Sequence, residues 1–261
     1  MSPISSMVEP MTAGPPATIT RRVMVQRWTD VVFLHWAYDP DVVQRLLPAG
    51  VTVDVFDGHA WVGLVPFQME GLGFPHLAPL PFVGAFPEVN VRTYVRVGAH
   101  RAVWFFSLDV DRILPALIAR RGYHLNYCAG RVSHRRRGNV VSSRVERRWP
   151  DASAGATTSI IVRTGPPVDP LEPFTHFVTA RWGLVSTTPR GKLRHAPIAH
   201  PPWPLHAAEV LHLDDGLLVA AGLPAPHDRP HAMWSPGVAV DVGRPRRLPR
   251  PERSPADIYS Y

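Results

Sequence analysis

Phe86-Pro87-Glu88-Val89-Asn90-Val91-Arg92-Thr93-Tyr94-Val95 alternates polar or amphipathic side chains with β-branched ones. A β-strand places successive side chains on opposite faces of its sheet. One face therefore suits a core, and the other carries Glu88, Asn90, Arg92 and Tyr94. Charged and amide groups do not pack into an apolar core without partners. The pattern predicts a strand that lines a solvated or pocket-like cavity.

The composition indicates one domain built from short segments. The chain has 261 residues, of which 45% are hydrophobic, enough for one substantial core. Its 30 prolines interrupt helices and central strands, so any helices should be short. Cys128 is the single cysteine, which excludes an internal disulfide and a cysteine-based metal site. A reducing, cytoplasmic environment suits such a chain.

The chain divides into three parts. Residues 1–22 lack the features of a secretory signal and are predicted to be a disordered lead-in. Residues 23–243 form the single domain, and residues 244–261 an Arg- and Pro-rich tail that we expect to be disordered. No apolar run approaches the roughly 20 residues that span a bilayer, so no membrane partner is expected.

Turn and cap signals place several elements. Asp57-Gly58 predicts a two-residue hairpin, and Glu88–Val97 and Ala102–Val110 predict a second hairpin. Asp39-Pro40 and Asp169-Pro170 are typical of helix starts, and a further helix is predicted through residues 113–118. Many short strands with few short helices indicate an α+β, mostly β, fold in which a curved antiparallel sheet closes a barrel.

Blocks of the sequence occur in the order in which a known family carries them. The blocks are Phe33-Leu34-His35-Trp36, Leu46-Leu47-Pro48, Phe56-Asp57-Gly58-His59-Ala60-Trp61-Val62-Gly63, Pro66-Phe67, Glu88 to Val95, Phe105-Phe106-Ser107-Leu108-Asp109, Ala119-Arg120, Phe177-Val178-Thr179-Ala180-Arg181-Trp182, His200-Pro201-Pro202-Trp203-Pro204-Leu205 and Trp234-Ser235-Pro236-Gly237-Val238. The sequence resembles the YqjF-like family of uncharacterised proteins over roughly residues 28–242.

The resemblance implies an acetoacetate decarboxylase-like fold, a cone-like barrel around a small pocket. In the decarboxylases a pocket lysine forms a Schiff base with a β-keto acid. The comparable place here is Tyr123-His124-Leu125-Asn126-Tyr127, which contains no lysine, and Lys192 lies in a turn-like segment far along the chain. Because no tyrosine or asparagine forms an imine, Schiff-base chemistry is disfavoured.

Five residues are candidates for a ligand site. Glu88 and Arg120 match the positions of a pocket glutamate and an arginine that the resemblance implies. Asn90 and Arg92 share the face of Glu88, with Glu88 and Arg92 roughly 13 Å apart along the strand. Tyr127 stands where the lysine is missing. Structural alternatives stay open: Glu88 and Arg92 as paired network members, Tyr127 as a core residue, and Arg120 as a helix cap.

Two functions follow from these observations. The first is an uncharacterised small-molecule-binding protein with an internal barrel pocket, acting as a non-Schiff-base lyase or hydratase on a small keto or hydroxy acid. The alternative is a non-catalytic binding or regulatory module that uses the basic hairpin Arg131–Arg148 for nucleic acid or an acidic partner. We prefer the first, expect no cofactor, and find no metal pattern among the 13 histidines. Homo-oligomer formation is left open.

Overall fold

Strands dominate the fold. The computed structural model describes residues 8–75, 84–111 and 123–249. Its strands are β1 (Arg22–Tyr38), β2 (Thr52–Val53), β3 (Val55–Phe56), β4 (His59–Gly73), β5 (Phe86–Val97), β6 (His100–Val110), β7 (Tyr127–Arg137), β8 (Val140–Trp149), β9 (Thr157–Pro167), β10 (Gly183–Thr187), β11 (Leu193–Ala199), β12 (His206–Asp215), β13 (His231–Gly243) and β14 (Arg246–Arg247). Its helices are α1 (Pro40–Gln44), α2 (Pro173–Thr179), α3 (Leu217–Ala220) and a 3-10 turn at Asp151–Ser153. Within the described ranges, no helix has the length and apolar character needed to cross a membrane.

The strands form one sheet that closes on itself twice. The cavity ring consists of β1, β4, β5, β6, β10, β11 and β13, and the wide ring consists of β1, β4, β5, β6, β7, β8, β9, β12 and β13. Neighbouring strands are antiparallel except for β6 with β7 and β6 with β10. The predicted mostly β fold with a curved, closed sheet is confirmed, although the sheet forms two unequal rings rather than one even barrel.

The strands β1, β4 and β5 form a wall between two cores. On β1, Phe33 packs in the core inside the cavity ring and Leu34 packs in the core inside the wide ring. On β5, Val89 and Val91 face the wide ring, so Glu88 and Asn90 face the cavity ring. Both faces of β5 are therefore removed from water.

Most of the predicted turns and caps are present. Asp57 and Gly58 adopt positive φ angles of 51° and 73° between β3 and β4, as the two-residue hairpin requires. β5 and β6 form the second predicted hairpin. The Asp39 carboxylate accepts a hydrogen bond from the Asp41 N–H at 2.7 Å and caps α1.

One predicted helix start is wrong by a few residues. Asp169 accepts a hydrogen bond from the Leu171 N–H at 2.8 Å in a turn, and α2 begins only at Pro173. Glu172 caps α2 by accepting from the Thr175 N–H at 2.8 Å. The second carboxylate–proline pair, Glu172-Pro173, supplies the cap because it directly precedes the buried aromatic residues of α2. The helix predicted over 113–118 lies outside the described residues.

Both terminal segments contact the body of the fold. The Glu9 N–H donates to the Ala99 carbonyl at 2.9 Å, and the Trp182 indole donates to the Thr12 carbonyl at 3.2 Å. At the other end, β14 pairs with β11, and Leu248 packs against the core there. At the C-terminal end, the edge of β11 offers backbone hydrogen bonds that composition does not reveal, and the disorder expected for 1–22 and 244–261 stays a prediction. Residues 1–7 and 250–261 are outside the described ranges.

A buried ion pair ties β6 to β8 behind the cavity. The Arg147 guanidinium donates to both Asp109 oxygens, at 2.7 and 2.6 Å, and to the Ser107 hydroxyl at 2.9 Å. Both charged side chains are almost fully buried. Asp109 pairs with Val89 of β5, so the ion pair lies on the face opposite Glu88. It holds β8 over β6 within the wide ring.

We expect single substitution of this ion pair to destabilise the protein strongly. Asp109→Leu or Arg147→Met leaves a buried charge without its partner, which costs about 3–5 kcal/mol. The double variant removes both charges and should regain most of that loss. Urea unfolding of the four proteins measures the effect, and a double variant as unstable as the sum of the singles would contradict it.

Candidate functional site

The cavity ring encloses a small cavity with polar groups on one wall. Its free volume is about 70 Å³, more than the ~10–15 Å³ that one water needs. Most of its lining is apolar and aromatic, with side chains from β1, β4, β6, β10, β11 and β13. Polar groups converge from β5 and β7. This combination of apolar walls and a few placed polar groups is typical of small-molecule sites.

Four of the five predicted site residues line this one cavity. Glu88, Asn90 and Arg92 line it from β5 and Tyr127 from the start of β7. All four are buried, with less than a tenth of each residue exposed. Arg120 lies outside the described residues. That the four residues bind a ligand stays a prediction.

Glu88 is held in its neutral form by its surroundings. The pKa of Glu88 is raised to about 8. Burial is the main cause, contacts with Asn90 and Tyr127 oppose it, and the charge of Asp109 adds to it. The Tyr127 hydroxyl donates to Glu88 Oε2 at 3.4 Å. Burial also raises the pKa of Tyr127 well above its ordinary value. At neutral pH, Glu88 is therefore a protonated acid that can donate a hydrogen bond.

The titration of Glu88 should make the free energy of unfolding depend on pH. The raised pKa means that the folded protein keeps a proton which the unfolded chain loses above pH 4.5. The contribution of Glu88 to the free energy of unfolding is thus fully present below pH 4.5 and falls as the pH rises towards 8, by up to about 4 kcal/mol. Chemical denaturation at several pH values measures this decrease.

Glu88→Gln is the matched variant, because glutamine has the same shape and does not titrate. Its unfolding free energy should lack this decrease between pH 4.5 and 8. Parallel pH profiles for the wild type and Glu88→Gln would show that Glu88 is not buried as a neutral acid.

Arg92 is a buried cation that lines the cavity. Its guanidinium donates from Nη2 to the Tyr94 hydroxyl at 3.2 Å and to the Val178 carbonyl of α2 at 3.4 Å. It also lies 5.5 Å from the centre of the Phe33 ring. Among the described residues, its Nε–H has no hydrogen-bond partner and no carboxylate is within ion-pair distance. The structural alternative for Arg92, membership of a buried network, therefore stays open beside ligand binding.

Tyr94 holds Arg92 in place. Its hydroxyl lies 2.7 Å from His35 Nε2, and the guanidinium of Arg181 lies 4.8 Å from the centre of its ring. Arg181 is in turn paired with Asp54 at 2.7 Å. Burial lowers the pKa of His35 well below its ordinary value, so the imidazole that contacts Tyr94 is neutral. The arginine beside the cavity is therefore oriented by a buried network.

Trp28 also lines the cavity, and the sequence reasoning missed it. Met24, Gln26 and Trp28 face the cavity from even positions of β1, whereas Val31 and Phe33 face it from odd positions. Asp30, with a positive φ of 51°, lies where the alternation changes. The signal in the sequence is the imperfect alternation of β1.

A larger groove of about 610 Å³ lies between the end of β1 and residues 224–231. Trp36 and Tyr38 donate to the carbonyls of Asp228 and Pro224 at its rim. His35 borders the groove. The smaller cavity is the better candidate site, because it is more enclosed and several buried polar groups converge in it, among them a charged one.

Lys192 and the basic hairpin lie away from the cavity. Lys192 is exposed in a turn after Thr188. In the β7–β8 hairpin, Arg147 is buried against Asp109, while Arg131 and Arg148 share Glu146. The hairpin therefore has fewer uncompensated charges than its sequence indicates, and its binding to nucleic acid stays a prediction.

Comparison with known proteins identifies the family. A sequence profile described as "Uncharacterized conserved protein", domain of unknown function 2071, matches residues 25–239. "Uncharacterized protein YqjF" of Bacillus subtilis (strain 168) is 32% identical over 208 residues, which are 80% of this chain and 85% of that protein. The resemblance inferred from the sequence blocks is confirmed.

Solved structures share the fold. An acetoacetate decarboxylase-like enzyme from Sphingomonas wittichii RW1 aligns with a TM-score of 0.63 at 16% identity, covering 90% of this chain and 96% of that one. The enduracididine biosynthesis enzyme MppR, complexed with pyruvate, aligns at 0.62 and 16%, covering 91% and 94%. The acetoacetate decarboxylase from Legionella pneumophila subsp. pneumophila str. Philadelphia 1 aligns at 0.62 and 13%, covering 90% and 92%. At these identities the likeness shows the fold alone.

Proposed function

This chain belongs to the YqjF-like family of uncharacterised proteins, and we propose that it binds a small carboxylate-bearing metabolite inside the cavity ring. The observation that carries the proposal is Arg92, a buried guanidinium at the cavity whose Nε–H has no partner among the described residues. Taking such a cation out of water costs several kcal/mol unless a counter-charge compensates. A ligand carboxylate supplies that charge.

The other cavity groups favour an anion of small size. Because Glu88 is neutral at pH 7, it adds no negative charge beside Arg92. Arginine binds carboxylates through two parallel hydrogen bonds, which also fix the ligand's orientation. The free volume of about 70 Å³ limits the ligand to a few heavy atoms. The complex of MppR with pyruvate, a three-carbon keto acid, supports the proposal that a cavity in this fold accommodates such a ligand.

Glu88 provides a route to chemistry. A carboxylic acid with a pKa of about 8 is protonated at neutral pH and close enough to titration to return the proton. It can donate that proton to the carbonyl or hydroxyl oxygen of a ligand whose carboxylate binds Arg92. Such a proton transfer is what a lyase or hydratase acting on a small keto or hydroxy acid needs. We propose this reaction class for the protein.

Thermal unfolding with a panel of small acids tests the binding proposal. Pyruvate, lactate, 2-oxobutyrate, 3-hydroxybutyrate and acetate are the probes. At ten times its dissociation constant, an acid that binds should raise Tm by about 3–6 °C. Arg92→Met, which keeps the aliphatic stem and removes the charge, should abolish the shift.

Arg135→Met is the control for the loss of one positive charge. Arg135 is exposed on the β7–β8 hairpin, so its substitution should leave the shift unchanged. No response from the wild type to any acid, or an undiminished response in Arg92→Met, would exclude the proposed site.

The proposed chemistry does not use an imine. Lys192 is the single lysine of the chain, and it is exposed in a turn rather than placed at the cavity. An amine that does not line the cavity is not in position to attack a ligand bound there.

Treatment with acetoacetate and borohydride should therefore leave the intact mass of the protein unchanged. The acetoacetate decarboxylase of Legionella pneumophila, treated alongside, is the comparison for a stoichiometric adduct. A stoichiometric adduct on this protein that is absent from Lys192→Arg would overturn the non-imine assignment.

A further inference from the structure

Buried polar atoms without a partner show what the cavity still has to bind. Three cavity residues carry such atoms within the described part of the chain: Trp28 Nε1, Asn90 Oδ1 and Arg92 Nε. Two of these atoms are hydrogen-bond donors and one is an acceptor. A buried polar atom left unsatisfied costs about 1–3 kcal/mol. A ligand that fits the site should therefore bring both acceptors and a donor.

The unpartnered acceptor shows which functional group the ligand must carry next to its carboxylate. The amide oxygen of Asn90, Oδ1, is buried at the cavity and has no hydrogen-bond donor among the described residues. A keto group cannot satisfy this oxygen, because a carbonyl only accepts. A hydroxyl, an ammonium or an amide N–H can.

The charge of the cavity disfavours one of these donors, the ammonium group. Arg92 is already a cation at the cavity, and Glu88 is neutral there. An ammonium group on the ligand would bring a second positive charge into a low-dielectric space, and balancing it would require Glu88 to lose its proton. A hydroxyl and an amide N–H both bring a donor without charge, but the hydroxyl oxygen can also accept from the protonated Glu88, whereas an amide nitrogen does not accept.

The order of the residues along β5 matches a hydroxy acid. Arg92 and Asn90 are on the same face, two residues or about 7 Å apart, and Glu88 follows at the same spacing. A carboxylate on Arg92 therefore places the next carbon atoms of a short ligand beside Asn90. We propose that the ligand of this site is a small hydroxy acid, whose carboxylate binds Arg92 and whose hydroxyl donates to Asn90 Oδ1.

This inference rests on the proposed carboxylate-binding function and narrows its ligand class. Isothermal titration calorimetry with matched ligands tests it. Pyruvate, the two lactate enantiomers and the two alanine enantiomers share one carbon skeleton and differ in the group next to the carboxylate. A second series, 2-oxobutyrate and 2-hydroxybutyrate, adds one methylene.

One enantiomer of the hydroxy acid should bind at least tenfold more tightly than the keto acid, since the keto acid leaves Asn90 Oδ1 unpaired. The amino acid should bind more weakly than either.

Asn90→Leu is the matched variant, because leucine is similar in size and has no acceptor. It should reduce the preference for the hydroxy acid over the keto acid to about twofold or less. Where this variant does not fold, the ligand series on the wild type decides alone. Equal or tighter binding of the keto acid, or tightest binding of the amino acid, overturns the inference and leaves the carboxylate site in place. Binding of none of these acids overturns the proposed function itself.

Discussion

The burial of β5 on both of its faces is the constraint on which the site depends. β5 belongs to the wall between the cavity ring and the wide ring, so neither face meets bulk water. An edge strand, or a sheet with one solvated face, would leave Glu88 and Arg92 hydrated and the pKa of Glu88 ordinary. Closure of the sheet instead brings an acid and a guanidinium into a small apolar cavity, where each charge has a large energetic effect.

The buried network around Arg92 shows how the protein tolerates this cation. Tyr94 accepts from Arg92 and is itself fixed by His35 and by the ring contact with Arg181. The negative charge of Asp54 is used by Arg181 and by two further arginines, Arg96 and Arg101. The network therefore orients Arg92, and no carboxylate of the described residues pairs with its charge. Preorganised groups of this kind lower the cost of binding an anion.

We propose that the fold which this chain shares with decarboxylase-like enzymes serves a chemistry without an imine here. Tyr127 lines the cavity at the position where the family resemblance implies the lysine of the decarboxylases. The single lysine of this chain, Lys192, is exposed. A tyrosine whose pKa is raised by burial donates a hydrogen bond and does not form a covalent bond to a carbonyl. One scaffold can thus serve a ligand-binding or proton-transfer role in place of imine catalysis.

The sequence alone was sufficient for the local features. The Asp57-Gly58 turn, the Asp39 cap and the alternation of residues 86–95 depend only on neighbouring residues, and so does the common face of Glu88, Asn90 and Arg92. The absence of a pocket lysine could also be inferred at that level, once the family blocks were placed.

The tertiary structure decided which long-range partners these groups have. The position of Trp28 follows from the distortion at Asp30, and the pairing of β14 with β11 follows from an edge of β11 that composition does not reveal. The raised pKa of Glu88, and the lack of a carboxylate partner for Arg92 among the described residues, depend on the closure of two rings over one wall. These properties arise from burial and from contacts between strands distant in sequence, and a residue pattern specifies neither.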